Sequence, residues 1–285
     1  MIKFLIDSGS DYDKEQLQGK GIEYIPIAIS VGDKSFRDGE ISKDEFYKLT
    51  QESDEFPKTA QPSPQDFIDI FEKIKADGDE LICILLSSGL SGLIQSATLA
   101  KNMVEYDKIH IVDSLSATFV IKVLVDYGIQ LRDSGKTAEE IVAAIKEIQP
   151  KVRMYAVLDT LDNLYKGGRL SKIEAGIGTI AKIKPLIYFT GDGKVGIKAK
   201  SIGKKKALND IMKLISNDTI NTDFPVYSIY SIGTVNNETF TDRLKEANIE
   251  VSDRLQIGPT IGTHIGPEAY GIVYVAEEFL LYGLT

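Results

Sequence analysis

Short runs of Ile, Leu and Val alternate with helix-start signals through the first 150 residues, and that order restricts the chain more than any other feature. Phe4–Asp7, Tyr24–Ser30, Leu81–Ser87 and Ile109–Asp113 read as strands, being short, apolar and rich in β-branched residues. Between and after them lie capped helices. Ser42 is followed three residues later by Glu45, and Thr137 by Glu140, the spacing of a capping box. Ser63 precedes Pro64, and proline suits the first helical position because its missing N–H would be unpaired there. Pro150 closes a charged helix that begins near Thr137. Such alternation predicts a mainly parallel sheet flanked by helices.

The second half has another texture. Val152–Leu158, Pro185–Phe189 and Val195–Ala199 read as strands, with Gly191-Asp192-Gly193 as a hairpin turn between the last two. Further strands are expected at Val226–Ile232, Val251–Ile257 and Gly271–Val275, and helices over Ile173–Ala181, Lys205–Ile215 and Glu238–Ala247. This pattern predicts a mixed or antiparallel sheet with helices. The chain has 285 residues, and domains run to roughly 100–200 residues each. The expectation is an α/β fold of two domains, 1–150 and 151–285, divided near Pro150.

Charge and composition narrow the partners. A net charge of −9 disfavours nucleic acid or an anionic membrane surface, both of which reward a basic face. The single cysteine, Cys83, lies inside an apolar run and reads as a core residue. The opening MIKFLIDSGSD reaches acidic residues too soon for a signal peptide, and no apolar run approaches the roughly 20 residues that span a bilayer. A cytoplasmic location is expected.

In parallel α/β sheets, ligands bind beyond the carboxyl ends of the strands. Those ends carry hydroxylated loops here: Asp7-Ser8-Gly9-Ser10-Asp11, Ser87-Ser88-Gly89-Leu90-Ser91-Gly92 and Asp113-Ser114-Leu115-Ser116, joined by Lys58-Thr59-Ala60-Gln61-Pro62. Serine most often caps a helix, yet three such loops at successive strand ends point to a polar crevice. In the second of them, Ser88, Ser91 and Gly92 precede a helix whose first N–H groups suit a carboxylate or a phosphate. A P-loop motif is absent, and Gly89-Leu90-Ser91-Gly92-Leu93 fails as a nucleophile elbow at its last position. His110 reads as a strand residue, whereas His264 lies in the glycine-rich run Gly262–Pro267, read as a loop. Two histidines and one cysteine spread along the chain predict neither zinc nor haem, and no cofactor is expected. Arg169, between Gly167-Gly168 and Leu170-Ser171-Lys172, reads as an exposed corner suited to a phosphate or an acidic partner. Ile173 to Ile183 is rich in Ala, Gly and Ile and could pack against something slender and apolar. Lys204–Lys206 sits at a helix start, the unfavourable end for positive charge.

Six of these motifs, in this order and over nearly the whole chain, resemble the DegV family of bacterial fatty-acid-binding proteins: Asp7-Ser8, Lys58–Ser63, Leu86–Gly92, Val112–Ser114, Gly167–Lys172 and Gly262–Pro267. The resemblance implies two α/β domains with an acyl chain buried between or beside them. It implies that Thr59 and Ser91 hold the carboxylate with His264 nearby, and that Arg169 faces a partner. That partner would be a separate ATP-dependent kinase that phosphorylates the bound carboxylate for phospholipid synthesis, the carrier itself being a monomer and not an enzyme. Departures from the family pattern are Thr118-Phe119-Val120-Ile121, bulky where small residues are usual, together with Leu93, Glu268 and the lysines Lys198 and Lys200. Phe119 and Val120 are expected to reshape the tunnel. The alternative reading is a serine hydrolase using Ser91 and His264, with Asp159 or Asp162 as the orienting acid. A binding module for a small metabolite is a third.

Overall fold

A computed structural model describes residues 1–171 and 183–279. The helix expected over Ile173–Ala181 lies outside the described residues.

Four strands, β1 (Ile2–Asp7), β2 (Ile22–Ile25), β6 (Glu80–Leu85) and β7 (Ile109–Asp113), form a parallel sheet in the order β2-β1-β6-β7. The expected capping signals deliver its helices. Ser42 accepts from the Glu45 amide and opens α1 (Lys43–Glu52). Ser63 and Thr137 form capping boxes with Asp66 and Glu140 at the starts of α2 (Pro64–Asp77) and α5 (Ala138–Ile148). With α3 (Leu93–Val104) and α4 (Phe119–Asp133), α2 and α5 bury Phe67, Phe71, Ala97, Leu124 and Ile145 against Phe4, Ile82 and Ile84, whereas α1 buries Phe46 and Tyr47 in a separate cluster.

The strand expected over Tyr24–Ser30 is two strands. Pro26 has no amide to give a ladder, so the chain leaves β2 and enters a different sheet. There β3 (Ala28–Val31) pairs antiparallel with β4 (Lys34–Arg37) and β5 (Lys58–Ala60), two short polar strands with no apolar pattern to announce them.

From Val152 onward the strands build one six-stranded sheet, ordered β10-β9-β8-β13-β11-β12. It comprises β8 (Val152–Val157), β9 (Ile183–Phe189), β10 (Val195–Ile202), β11 (Tyr227–Tyr230), β12 (Asp253–Gln256) and β13 (Tyr270–Val275). Its ladders are antiparallel except β11 with β12. The expected hairpin joins β9 to β10, with Gly193 at φ +75° donating to the Thr190 carbonyl. Strand alternation gives β8 two buried faces: Tyr155 and Val157 pack with α7 (Lys204–Ile215) and α8 (Thr234–Glu246), while Met154 and Ala156 join the first domain's core. A cavity lies on that second face, lined in part by Met154 and Ala156. At the start of α7, Lys204 pairs with Glu268 and Lys206 with Asp210, which offsets their unfavourable position. Among the described residues no helix is long and apolar enough to cross a membrane.

A further expectation is corrected. The segment holding His264 is a helix, α9 (Pro259–Ile265), preceded by α6 (Asp162–Lys166) in the chain and packed against it. Gly262 is there because the helix approaches α1 closely: a Cβ would fall 2.6 Å from the Tyr47 hydroxyl oxygen and 3.0 Å from the Phe46 ring. The glycines signalled a tight approach, not a loop.

Candidate functional site

The two halves of the molecule are stitched together by polar groups from the strand-end loops. Ser8 Oγ lies 2.8 Å from Thr260 Oγ1 and accepts from the Ile27 amide at 3.0 Å. Asp38, buried, accepts from the Thr260 amide at 2.9 Å and its hydroxyl at 2.5 Å. Asp11 accepts from the Gly258 amide at 2.9 Å and from the Thr118 hydroxyl at 2.5 Å. Tyr47 donates its hydroxyl to the Ile257 carbonyl, and Ser87 donates to the Gly193 carbonyl across the seam. Much of the polarity expected to line a crevice is therefore spent on positioning α9 and the β9–β10 turn.

That positioning aims His264 at Thr59. His264 Nε2 is 3.0 Å from Thr59 Oγ1, although the two residues stand 205 positions apart. Both line a cavity of about 270 Å³ together with Ser91, Gln61 and Arg169. The rest of its wall is apolar, from Ile27, Leu86, Ala117, Met154, Ala156 and Ile257 among others. Those apolar residues are buried, whereas Thr59, Ser91, His264 and Arg169 are half-buried and Gln61 is exposed. The cavity is thus polar toward the surface and greasy at depth.

Burial, reinforced by the positive charge of Arg169, pushes the His264 pKa down to about 3, so the ring is neutral near pH 7. Nδ1 is buried without a hydrogen-bond partner. A proton there would be an unpaired donor facing a cation, so the Nε2–H tautomer is favoured. Nε2–H then donates to Thr59 Oγ1, and the threonine hydroxyl proton is left for a ligand. Gly167 makes room for the ring, since a Cβ would fall 2.3 Å from Nδ1.

Arg169 was expected at an exposed corner. Instead it is held in the cavity wall, with Nε donating to the Leu90 carbonyl at 3.1 Å and Nη1 to the Gly167 carbonyl. The Gly-Gly pair ends α6 and folds the chain back under it, which is why the guanidinium turns inward. Ser88 does not line the cavity; its amide bonds Asp113 and its side chain is exposed. Gly92 caps α3, and the Gln61 carboxamide lies against it, 2.5 Å from where a Cβ would be. Phe119 turns away into the core, its ring 6.4 Å from that of Tyr227, and it does not line the cavity.

This arrangement suits binding of an amphiphile with one anionic end. It does not suit hydrolysis: the His264 ring is bonded to Thr59, no carboxylate accepts from its Nδ1, and a pKa near 3 makes it a poor base. Asp159 pairs with Lys184 instead. His110 bonds Glu80 at 2.8 Å; with Glu139 these residues bring ligand atoms within 4.8 Å of one another, outside the cavity.

Two buried carboxylates at and beside the seam titrate. Burial raises Asp7 to about 6 and Asp11 to about 7, against about 3.8 in the unfolded chain. The native state therefore binds more protons than the unfolded state between those values. The stability these two groups contribute is present below pH 4 and lost as pH rises through 6 to 7. His264 acts oppositely, its contribution being lost as pH falls from about 6.5 toward 3. Asp11→Asn is expected to remove on the order of a few kcal/mol of the fall in stability between about pH 5 and pH 8. Denaturant unfolding of both proteins at the two pH values checks this, and parallel curves would refute it.

Comparison with known proteins places these features. The family model described as uncharacterised proteins of the DegV family matches residues 1–277. A DegV domain-containing protein of Caldanaerobacter subterraneus is 36% identical over 279 residues, covering 96% of this chain and 98% of that one. A stearic acid-binding protein from Eubacterium ventriosum is 26% identical with a TM-score of 0.85, over 97% of this chain and 99% of that one. The Fatty Acid Kinase (Fak) B3 protein of Streptococcus pneumoniae, loaded with linoleic acid, is 26% identical with a TM-score of 0.84, over 97% and 100% of the two chains.

Proposed function

The chain belongs to the DegV family, and from that membership we propose that it is a cytoplasmic carrier of a long-chain fatty acid. The observation that carries the reading is the graded cavity, with Thr59, Ser91, His264 and Arg169 at its polar end and buried aliphatic side chains beyond. Thr59 and Ser91 donate hydrogen bonds to the carboxylate, His264 orients the Thr59 hydroxyl, and Arg169 offsets the charge. An acyl tail supplies most of the affinity, at about 0.8 kcal/mol per buried methylene. The head group needs only to offset its own desolvation, which two hydroxyls and a nearby cation do.

A carboxylate held at the half-exposed end stays within reach of a second protein. We therefore propose that the bound acid is presented to a separate ATP-dependent kinase for acyl-phosphate formation, with Arg169 also meeting that partner. The name of the pneumococcal relative supports this partner class.

Native mass spectrometry of protein purified from bacteria without added lipid is expected to show a bound fatty-acid mass. After delipidation, titration with palmitic or stearic acid is expected to restore it. Failure to bind any long-chain acid under both conditions would sink the reading.

A further inference from the structure

Beyond the inner wall of the acyl cavity lies a second one. Strands β8 and β9 pair through Ala156–Ile187 and Val157–Leu186, with the Leu158 amide donating to the Pro185 carbonyl just beyond, although β8 begins at Val152 and β9 runs on to Phe189. Where they part, a cavity of about 250 Å³ opens between them, close in size to the first. Its wall is largely apolar, including Leu115, Val120 and Val152, and it reaches the surface at the exposed Lys146. Met154 and Phe189 line both cavities.

One loop also serves both. Ala117 and Thr118 line the first cavity, Leu115 and Ser116 the second. Leu115 (φ 48°) and Thr118 (φ 56°) hold left-handed backbone that such residues seldom adopt. Hydrogen bonds from the Leu115 amide to Asp113 and from the Thr118 amide to the Gly9 carbonyl keep them there. With the loop fixed, the partition between the cavities falls to two side chains, Met154 and Phe189. Methionine is unbranched and changes rotamer at little cost.

Resting on the fatty-acid reading above, we propose that the gap between β8 and β9 receives the far end of the acyl chain, and that Met154 and Phe189 set which chain lengths are accepted. A short acid ends before this partition. A longer one passes it and gains burial with each methylene, until it meets water at Lys146, beyond which further carbons add nothing.

Ser116 offers a clean test. It is 4% exposed, and its Oγ has no hydrogen-bond partner, so a larger side chain there breaks no bond while filling the second cavity. Delipidated wild type, Ser116→Leu and Met154→Ala are titrated with lauric, palmitic, stearic and behenic acids. Ser116→Leu is expected to leave lauric acid bound as in wild type and to weaken the longer acids by about tenfold for every two methylenes excluded. Met154→Ala is expected to raise the ratio of behenic to lauric affinity. Should Ser116→Leu fail to fold, the Met154→Ala ratio decides alone. Wild-type length ladders in the folded variants would overturn the compartment while leaving the carrier reading intact. A wild type that binds none of the acids would overturn both.

Discussion

Replacing Arg153 by alanine is expected to lower stability by about 3–5 kcal/mol, the usual result of breaking one side of a buried ion pair. Arg153 sits on β8, 3% exposed. Its Nε lies 3.3 Å from Asp218 Oδ2, Nη1 donates to the Pro150 carbonyl at 2.9 Å, and Nη2 donates to the Glu278 carbonyl at 2.7 Å. Asp218 also accepts from the Tyr274 hydroxyl at 2.6 Å. The guanidinium thus ties the start of β8, the stretch after α7 and the end of β13 at one point. Alanine leaves Asp218 without its cation, two carbonyls without a donor, and a hole the size of an arginine side chain. A fall of about 10 °C in the unfolding midpoint is the calorimetric equivalent. Arg153→Lys keeps the charge but not the fork, and should fall between the two. A loss under about 1 kcal/mol, the range of ordinary surface changes, would show that water already satisfies this cluster.

Thr59→Ala is expected to weaken fatty-acid binding by roughly 10- to 100-fold, since a hydrogen bond to a charged group contributes about 1.5–3 kcal/mol. The loss has two parts. The carboxylate forfeits a donor, and His264 Nε2–H loses its acceptor at 3.0 Å. Thr59→Ser keeps the hydroxyl and should stay within a few-fold of wild type, whereas Thr59→Val, the same shape without it, should behave like alanine. His264→Ala in the Thr59→Ala background should then cost less than it does alone, because the two residues act as one unit. Calorimetric titration of the six delipidated proteins gives the affinities. Additive losses would mean that His264 touches the ligand independently.

The fold was largely legible because its signals are local. The Ser63 cap before Pro64, the capping box at Thr137 and the hairpin glycines depend on residues within a few positions, and each appears where it was read. Strands β4 and β5 were not legible, since Lys-Ser-Phe-Arg and Lys-Thr-Ala acquire their pairing from β3 and not from their own composition. The helix around His264 was hidden for the opposite reason: Gly262 has its meaning only against Tyr47, more than 200 residues earlier. Asp11 looked like a polar loop residue, and only the structure shows that it accepts from the Gly258 amide of the other half, as Asp38 does from Thr260, while Asp7 accepts from the Leu86 amide within the first half. Arg169 was read as outward because sequence gives no view of the Leu90 carbonyl that captures it.

The 205-residue span between Thr59 and His264 has a consequence for how the protein is born. Synthesis runs from the N-terminus at about 5–20 residues per second, and domains fold as they emerge. The parallel sheet is complete once residue 113 is out, but the Thr59–His264 contact waits for α9. During that interval Ile27 and Leu86, later part of the cavity wall, have no opposite face. A nascent or truncated chain can therefore hold a folded first sheet and still lack the Thr59–His264 contact.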